Sequence, residues 1–352
     1  LVGSPATFGS EDLERVEIVK GPQSALFGRA TFGGAVSMIT TTPGDEFKGR
    51  VNVTAATHGD YRLGGSIEGP LAEGLLSGRL IFDGSQFDGF YKNALGGRLG
   101  ETESQYIAAT LNFTPTEDLS IRLRHSDRRD EDGVAATPLI ARYTEHNCGP
   151  FPGFLTRSLA GLPAGFTVEQ SRKAYCGELK APSGPIAINN VLPVASLGKT
   201  KLDDHHLELD QTLTAGTLEW SFMNGHTLTA IASQQEHGII SLQDFERAPE
   251  DRYQAFVDTQ QTQDSYELRV TSPGEGKFDW MVGVARLEAT FSTIGAFING
   301  TLFGATAGGP AAASLNPARS GSKTDSIFGS LGYDLTEALN VSIEARRQKD
   351  II

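Results

Sequence analysis

Cys148 and Cys176, the acidic run Asp127 to Gly133 and the neighbouring His205 and His206 are the groups whose side chains and spacing could support chemistry in this chain. The two cysteines are the only ones present, and they stand 28 positions apart. In an exported chain two thiols are most simply a disulfide. Closing an interval of that size stabilises the segment by roughly 3 kcal/mol on the chain-entropy model, less if the bond is strained. A metal centre fits less well, because there is no CxxC spacing and His146 is a single candidate third ligand. The run DRRDEDG invites a calcium-loop reading, but the register ending in Asp130, Asp132 and Gly133 puts Arg128 where an acid is needed and Leu139 at the twelfth position. It reads better as a solvated acidic loop base. Adjacent histidines on a strand point to opposite faces, so His205 and His206 do not form a ligand pair. No nucleophile elbow, phosphate loop or zincin motif is present. No catalytic residue, cofactor or metal site is therefore expected, and an enzyme is disfavoured.

The elements that would position such groups begin with Glu14 to Pro43, ERVEIVKGPQSALFGRATFGGAVSMITTTP. A β-branched run (Val16, Ile18, Val19) is followed by a Gly21-Pro22 break, a short amphipathic helical turn, a double glycine and a second β run. Gly21, Gly28, Gly33 and Gly34 sit where the chain reverses or approaches another backbone, and Pro22 suits the first helical position. The pattern gives a compact β-turn-helix-turn-β unit. The blander reading of the same stretch is a generic α+β piece whose glycines merely mark turns, and the chain after Pro43 must decide.

Composition narrows the classes. Among 352 residues there are 41 glycines, 39% of residues are hydrophobic, and the net charge is -13. Acidity disfavours a nucleic-acid binder, which needs a basic stripe to replace counterions. No apolar run is long enough for a membrane-spanning helix, which leaves a closed sheet as the way to span lipid. The opening LVGSPATFGSEDLERVE lacks a basic n-region and apolar h-region, and Asn340 to Ile352 stops inside an alternating run. Both ends look cut, so the expectation is an interior fragment of a longer protein.

From Phe47 the periodicity becomes two. Leu119, Ile121 and Leu123 alternate with Ser120, Arg122 and Arg124; Tyr266, Leu268 and Val270 with Glu267, Arg269 and Thr271; Leu339, Val341 and Ile343 with Asn340, Ser342 and Glu344. About eleven half-apolar runs of roughly strand length follow one another: 47–57, 61–70, 75–87, 103–114, 119–130, 203–222, 226–238, 262–272, 277–291, 323–335 and 339–352. Their connections alternate by side. Leu71–Gly74, Pro115–Asp118, Met223–Gly225, Pro273–Gly276 and Thr336–Ala338 are tight, whereas Asp88–Thr102, Glu131–Leu202, Ile239–Gln261 and Ser292–Ser322 are long. Only His58–Asp60 is short on the long side. A soluble sandwich has no reason to keep this asymmetry, while an outer-membrane barrel does. Phe113, Trp220, Phe222, Phe278, Trp280 and Tyr333 gather beside the tight turns, as one interfacial aromatic girdle would.

ERVEIVKGP, SALFG and GGAVSMIT resemble the C-terminal half of the plug domain of TonB-dependent outer-membrane receptors. SYELRVTSPGEGKFDWMVGV (Ser265 to Val284) and SIFGSLGYDLTEALNVSIEARRQKD (Ser326 to Asp350) are similar to barrel hairpins of the same family. The resemblance covers nearly all of the chain outside the long loops. It implies an all-β transmembrane barrel, about eleven strands of a 22-stranded antiparallel one, with part of a small α+β plug. Residues 1–46 would be plug and 47–352 the N-terminal half of the barrel.

In that family Arg–Glu contacts anchor the plug to the barrel wall. Glu14, Arg15, Glu17, Lys20 and Arg29 are thus expected to pair with inward residues such as Glu267, Arg269 and Glu344. Lys20 stands where Arg is common in the family, so a point charge replaces a bidentate donor there. The implied function is active transport of a scarce ligand, most often a ferric siderophore, with cobalamin, haem or an oligosaccharide as alternatives. The implied partners are outer-membrane lipid and the TonB energy-transducing protein of the inner membrane, reached through a segment not in this sequence. A non-transporting surface barrel, adhesin or structural, is the other class to weigh, but the unit before the first barrel strand has no role in it. A soluble periplasmic β-protein would not need an apolar outward row beside an aromatic girdle.

Overall fold

A computed structural model describes residues 12–21, 28, 31, 33–136, 146–152, 167–178, 207–244, 253–274, 276–299, 312–336 and 338–351. Two short strands, β1 (Leu13–Lys20) and β2 (Gly34–Thr40), pair antiparallel as a hairpin with Val16 opposite Met38 and Ile18 opposite Val36. All other long strands form one antiparallel sheet. They are β3 (Lys48–Ala56), β4 (Asp60–Ala72), β5 (Leu76–Phe87), β8 (Thr102–Thr116), β9 (Leu119–Asp132), β10 (Leu207–Phe222), β11 (His226–Asp244), β12 (Tyr253–Thr271), β13 (Phe278–Asn299), β14 (Ala312–Thr336) and β15 (Leu339–Ile351). Each pairs with its predecessor in an up-and-down meander of 11 strands. A small hairpin, β6 (Tyr91–Lys92) and β7 (Arg98–Leu99), lies within the connection from β5 to β8. Among the described residues a short helix, α1 (Val168–Ser171), is capped by Thr167 in a capping box with Gln170.

The period of two sorts the side chains of the sheet onto two chemically different faces. Facing one way are Val51, Val53, Leu63, Leu80, Phe82, Ile107, Leu111, Leu123, Leu268, Val282, Val284, Ile327, Leu331, Val341 and Ile343, all large, apolar and exposed. Facing the other way are Ser77, Arg79, Tyr106, Thr110, Arg124, Ser126, Thr324 and Ser326, polar side chains of which most are buried. This inverts the soluble arrangement, in which the apolar face is covered. No helix among the described residues is long and apolar enough to cross a membrane. The strands carry the apolar surface instead.

The outer apolar belt is bounded in height. Above the short turns each strand keeps apolar outward residues for about eight positions, or roughly 20 Å along the axis of a tilted strand, close to the band of a transmembrane barrel. The outward row then turns polar at Gln105, His125, Asp264 and Arg286 on neighbouring strands.

Several strands outrun their sequence-based limits. β11 continues to Asp244, β12 begins at Tyr253, β13 runs to Asn299 and β14 starts at Ala312. The connections read as Ile239–Gln261 and Ser292–Ser322 are therefore much shorter than expected. Above the belt the apolar alternation that marks a strand is gone, yet the backbone ladder continues, because hydrogen bonding does not depend on which side chains flank it. The helical turn expected around Ser24–Gly28 lies outside the described residues, apart from Gly28. His205 and His206 lie outside them as well.

Candidate functional site

The hairpin β1–β2 and the segment after it meet the inner face of the sheet through a buried polar node. Asp12, at the foot of β1, is fully buried, and its backbone carbonyl is held by Thr41 N at 3.0 Å, so the two ends of the hairpin fix its position. Its carboxylate faces Arg124 of β9 in a bidentate pair: Nη1 donates to Oδ1 at 3.1 Å and Nη2 donates to Oδ2. Tyr106 of β8 donates its hydroxyl to the same Oδ2 at 2.5 Å and accepts from Arg124 Nη2 at 2.6 Å. Thr110 Oγ1 accepts from Arg124 Nη1 at 3.3 Å. Side-chain exposure is 7% for Arg124 and 1% for Asp12. A buried charge pair is tolerable when its remaining donors and acceptors are also occupied, and Tyr106 and Thr110 take up the Nη donors, while Arg124 Nε has no partner among the described residues.

Two further bonds continue the seam. Arg122 Nη1 donates to Thr42 Oγ1 at 2.8 Å, and buried Ser77 donates to the Pro43 carbonyl at 2.9 Å. At the other side of the sheet, an added Cβ on Gly28 would meet the Arg346 guanidinium at 3.4 Å. Arg346 sits over the Phe328 ring at 5.0 Å and donates to Ser326 Oγ at 2.7 Å. The hairpin region is thus tied to β5, β8 and β9 and approaches β15.

The pairs expected between hairpin charges and wall charges do not form among the described residues. Arg15 turns instead to Glu14 at 2.6 Å and Glu17 at 2.7 Å, which lie on its own exposed strand and are nearer than any wall residue. The hydrogen bond to Glu17 and the charges of both glutamates hold the Arg15 guanidinium above its ordinary pKa. Glu267 and Arg269 pair with each other at 3.1 Å, two positions apart on one face. Glu344 and Lys20 are exposed. Arg29 lies outside the described residues. Of the four glycines, Gly21, Gly28 and Gly34 have positive φ, whereas Gly33 does not and has open space around it. Gly33 is therefore not required by backbone conformation.

The node itself was missed. Arg124 belongs to the polar row of an alternating strand and Tyr106 to that of its neighbour, so their face was readable. Asp12, one acid in an acidic stretch, gave no signal of a partner beyond a hundred positions.

The remaining sequence features take definite places. Cys148 and Cys176 are joined, with Cα atoms 5.5 Å apart, in a two-stranded bridge where Cys148 N donates to Ala174 O at 2.9 Å. Asn147 ties the same pair of segments, donating to Cys176 O and accepting from Cys176 N, both at 2.7 Å. His146 Nδ1 lies 2.9 Å from the Lys173 carbonyl, so it serves the bridge and not a metal. No cluster of three metal-ligating side chains occurs among the described residues. Asp127 to Asp132 forms the end of β9, not a loop. Its acids meet arginines, Asp130 with Arg128 at 2.8 Å and Glu131 with Arg129 at 2.7 Å.

Phe113, Trp220, Phe222, Phe278, Trp280 and Tyr333 all lie beside short turns on the rows that carry the outer apolar side chains. Trp220 and Phe222 stack at 5.2 Å, and His226 bridges Phe222 at 5.9 Å and Trp280 at 5.7 Å.

No protein-family model matches the chain. It is 27% identical to the pesticin receptor of Yersinia pestis over 136 residues, which is 38% of this chain and 19% of that protein. It is 38% identical to the metal-pseudopaline receptor CntO of Pseudomonas aeruginosa over 91 residues, 26% of this chain and 13% of that protein. In fold it is similar to the crystal structure of the ferripyoverdine receptor of the Pseudomonas aeruginosa outer membrane bound to ferripyoverdine. That likeness has a TM-score of 0.68 at 15% identity and covers 96% of this chain. The chain spans 42% of that structure, less than half its length. These relatives are receptors and not enzymes.

Proposed function

We infer what this chain does from its membership of the TonB-dependent outer-membrane receptors, whose barrel fold it has and whose members are its sequence relatives. We propose that it is the plug-to-barrel portion of an active transporter, with residues 1–46 in the plug and 47–352 in the barrel wall. A scarce ligand would bind from the long-connection side. The TonB protein of the inner membrane would supply the work that shifts the plug. The observation that carries this reading is the seam fastening the β1–β2 hairpin to the inner wall at Asp12, Arg124 and Tyr106. A surface barrel with no transport role has no use for a hairpin fastened inside it, whereas a gate must be held closed when idle.

A ferric siderophore or similar metal chelate is the ligand class we favour. The metal-pseudopaline and ferripyoverdine receptors carry such ligands in their names. The test is uptake of labelled ferric siderophores by cells making the full-length protein, with and without the energy-transducing partner. Partner-dependent accumulation supports the proposal. Binding of cobalamin or a glycan with no iron uptake would keep the mechanism and change the ligand. Neither uptake nor binding would overturn transport.

A further inference from the structure

Three outward rows cross β12 to β15 at the top of the apolar belt. In one row Leu268, Val284, Ile327 and Arg347 stand side by side in register. In the next, one step further from the short turns, stand Tyr266, Arg286, Asp325 and Lys349. Above these, Glu288 and Lys323 pair at 2.7 Å. Between the first two rows runs a groove of about 710 Å³ with an apolar floor and a cationic upper rim.

Arg347 is the anomaly. It occupies the position its three row partners give to leucine, valine and isoleucine, on the face that an outer-membrane barrel turns to lipid. Among the described residues no carboxylate pairs with it. The one carboxylate in the next row, Asp325, is already engaged by Arg286 at 2.6 Å. Arg286, Arg347 and Lys349 around one Asp325 leave the groove with an excess of two positive charges. An outward arginine is costly at mid-bilayer and nearly free at the boundary, where an anionic headgroup can meet it.

We propose that this groove is a docking site for a membrane lipid with an anionic phosphate headgroup. Its phosphate would sit among Arg347, Lys349 and Arg286, and its acyl chains would lie over Leu268, Val284 and Ile327. Apolar floor and cationic rim are the two halves of one such molecule. The proposal rests on reading the sheet as a membrane barrel, and the experiment separates the two.

The full-length protein is purified in mild detergent and titrated with phosphatidylglycerol, and retained lipid is read by native mass spectrometry. Diacylglycerol with the same chains and inorganic phosphate are the controls, and heat-modifiable electrophoretic mobility reports an assembled barrel. The expected result is retention of phosphatidylglycerol, weakened about thirtyfold in the double variant Arg347→Gln with Lys349→Gln. Arg129→Gln, on the rim of β9, should leave retention unchanged. If the double variant fails to assemble, Arg347→Gln alone reads a loss of about fivefold. An assembled barrel whose variants retain the lipid as well as wild type overturns the proposal. So does equal retention of diacylglycerol, which would mean a simple apolar annulus, or full displacement by inorganic phosphate, which would mean an anion site without chains. Loss of heat-modifiable mobility in the wild type would instead remove the barrel reading underneath.

Discussion

Asp12 and Arg124 stand 112 residues apart in the chain and share a buried bidentate contact that joins the hairpin to the sheet. Removing one partner leaves the other charged, buried and alone, which costs about 3 to 5 kcal/mol. Asp12→Asn should therefore loosen the hairpin without unfolding the sheet. Hydrogen exchange on the full-length protein checks this, with faster exchange expected in β1 and β2 and none in β12 and β13. Replacing both residues by leucine should cost less than the single change, because no charge is stranded.

Tyr106 makes the node a three-way contact. Its hydroxyl donates to Asp12 and accepts from Arg124, so Tyr106→Phe removes one donor to a charged acceptor while keeping the ring. The expected loss is about 1.5 to 3 kcal/mol, smaller than for Asp12→Asn. The two variants combined should cost less than the sum of the singles, since both act on one carboxylate. The same exchange measurement on β1 gives all three values.

How much of this was legible follows from distance. The rows Leu119, Ile121, Leu123 and Ser120, Arg122, Arg124 assign their own faces, because alternation is a property of neighbouring residues. All eleven long strands of the sheet follow from such local rows, as do the short turns between them. Asp12 is different: Glu11, Asp12, Glu14 and Glu17 look alike in sequence, and only three-dimensional proximity singles one out. Arg15, Glu14 and Glu17 instead satisfy one another locally, one and two positions apart along β1. Strand ends above the belt, such as Ile239 to Asp244, were hidden because the consecutive isoleucines Ile239 and Ile240 break the alternation but not the ladder.

Leu331 and Ser330 are adjacent on β14 and face opposite ways, which makes the face assignment testable with one substitution type. Leu331 is 53% exposed on the apolar outer row, and Ser330 lies on the inner row. Leu331→Arg should destabilise the barrel by about 1 to 2 kcal/mol, between the midplane and interface costs of an arginine facing lipid, because Leu331 stands in register with Trp280 of the aromatic girdle. Ser330→Arg should cost much less, because its side chain enters a polar interior. Denaturant titration of the protein folded into lipid vesicles would compare them, and equal costs would contradict the two-faced sheet.

Gly34 opens β2 with φ of +140°. A Cβ there would collide with the Val19 carbonyl oxygen across the hairpin, a backbone atom that cannot swing aside. Gly34→Ala should thus disrupt the pairing of Lys20 with Gly34 and cost about 1 to 3 kcal/mol. Gly33→Ala, with open space and an ordinary φ, should be close to neutral. Protease sensitivity of the hairpin in the assembled protein would rank the two.

The Cys148–Cys176 bond lies in the long connection between β9 and β10, away from the belt. Its loss should therefore act on the loop alone. Cys148→Ser with Cys176→Ser removes roughly 3 kcal/mol of loop constraint on the chain-entropy model. The Asn147 amide still links the two segments through its paired bonds to Cys176, which softens the effect. The expected outcome is faster proteolysis near residues 146–178 and weaker ligand capture, with heat-modifiable mobility of the barrel unchanged. Unchanged capture after reduction would place the ligand elsewhere among the loops, and a lost mobility shift would mean that the bridge helps the barrel to assemble.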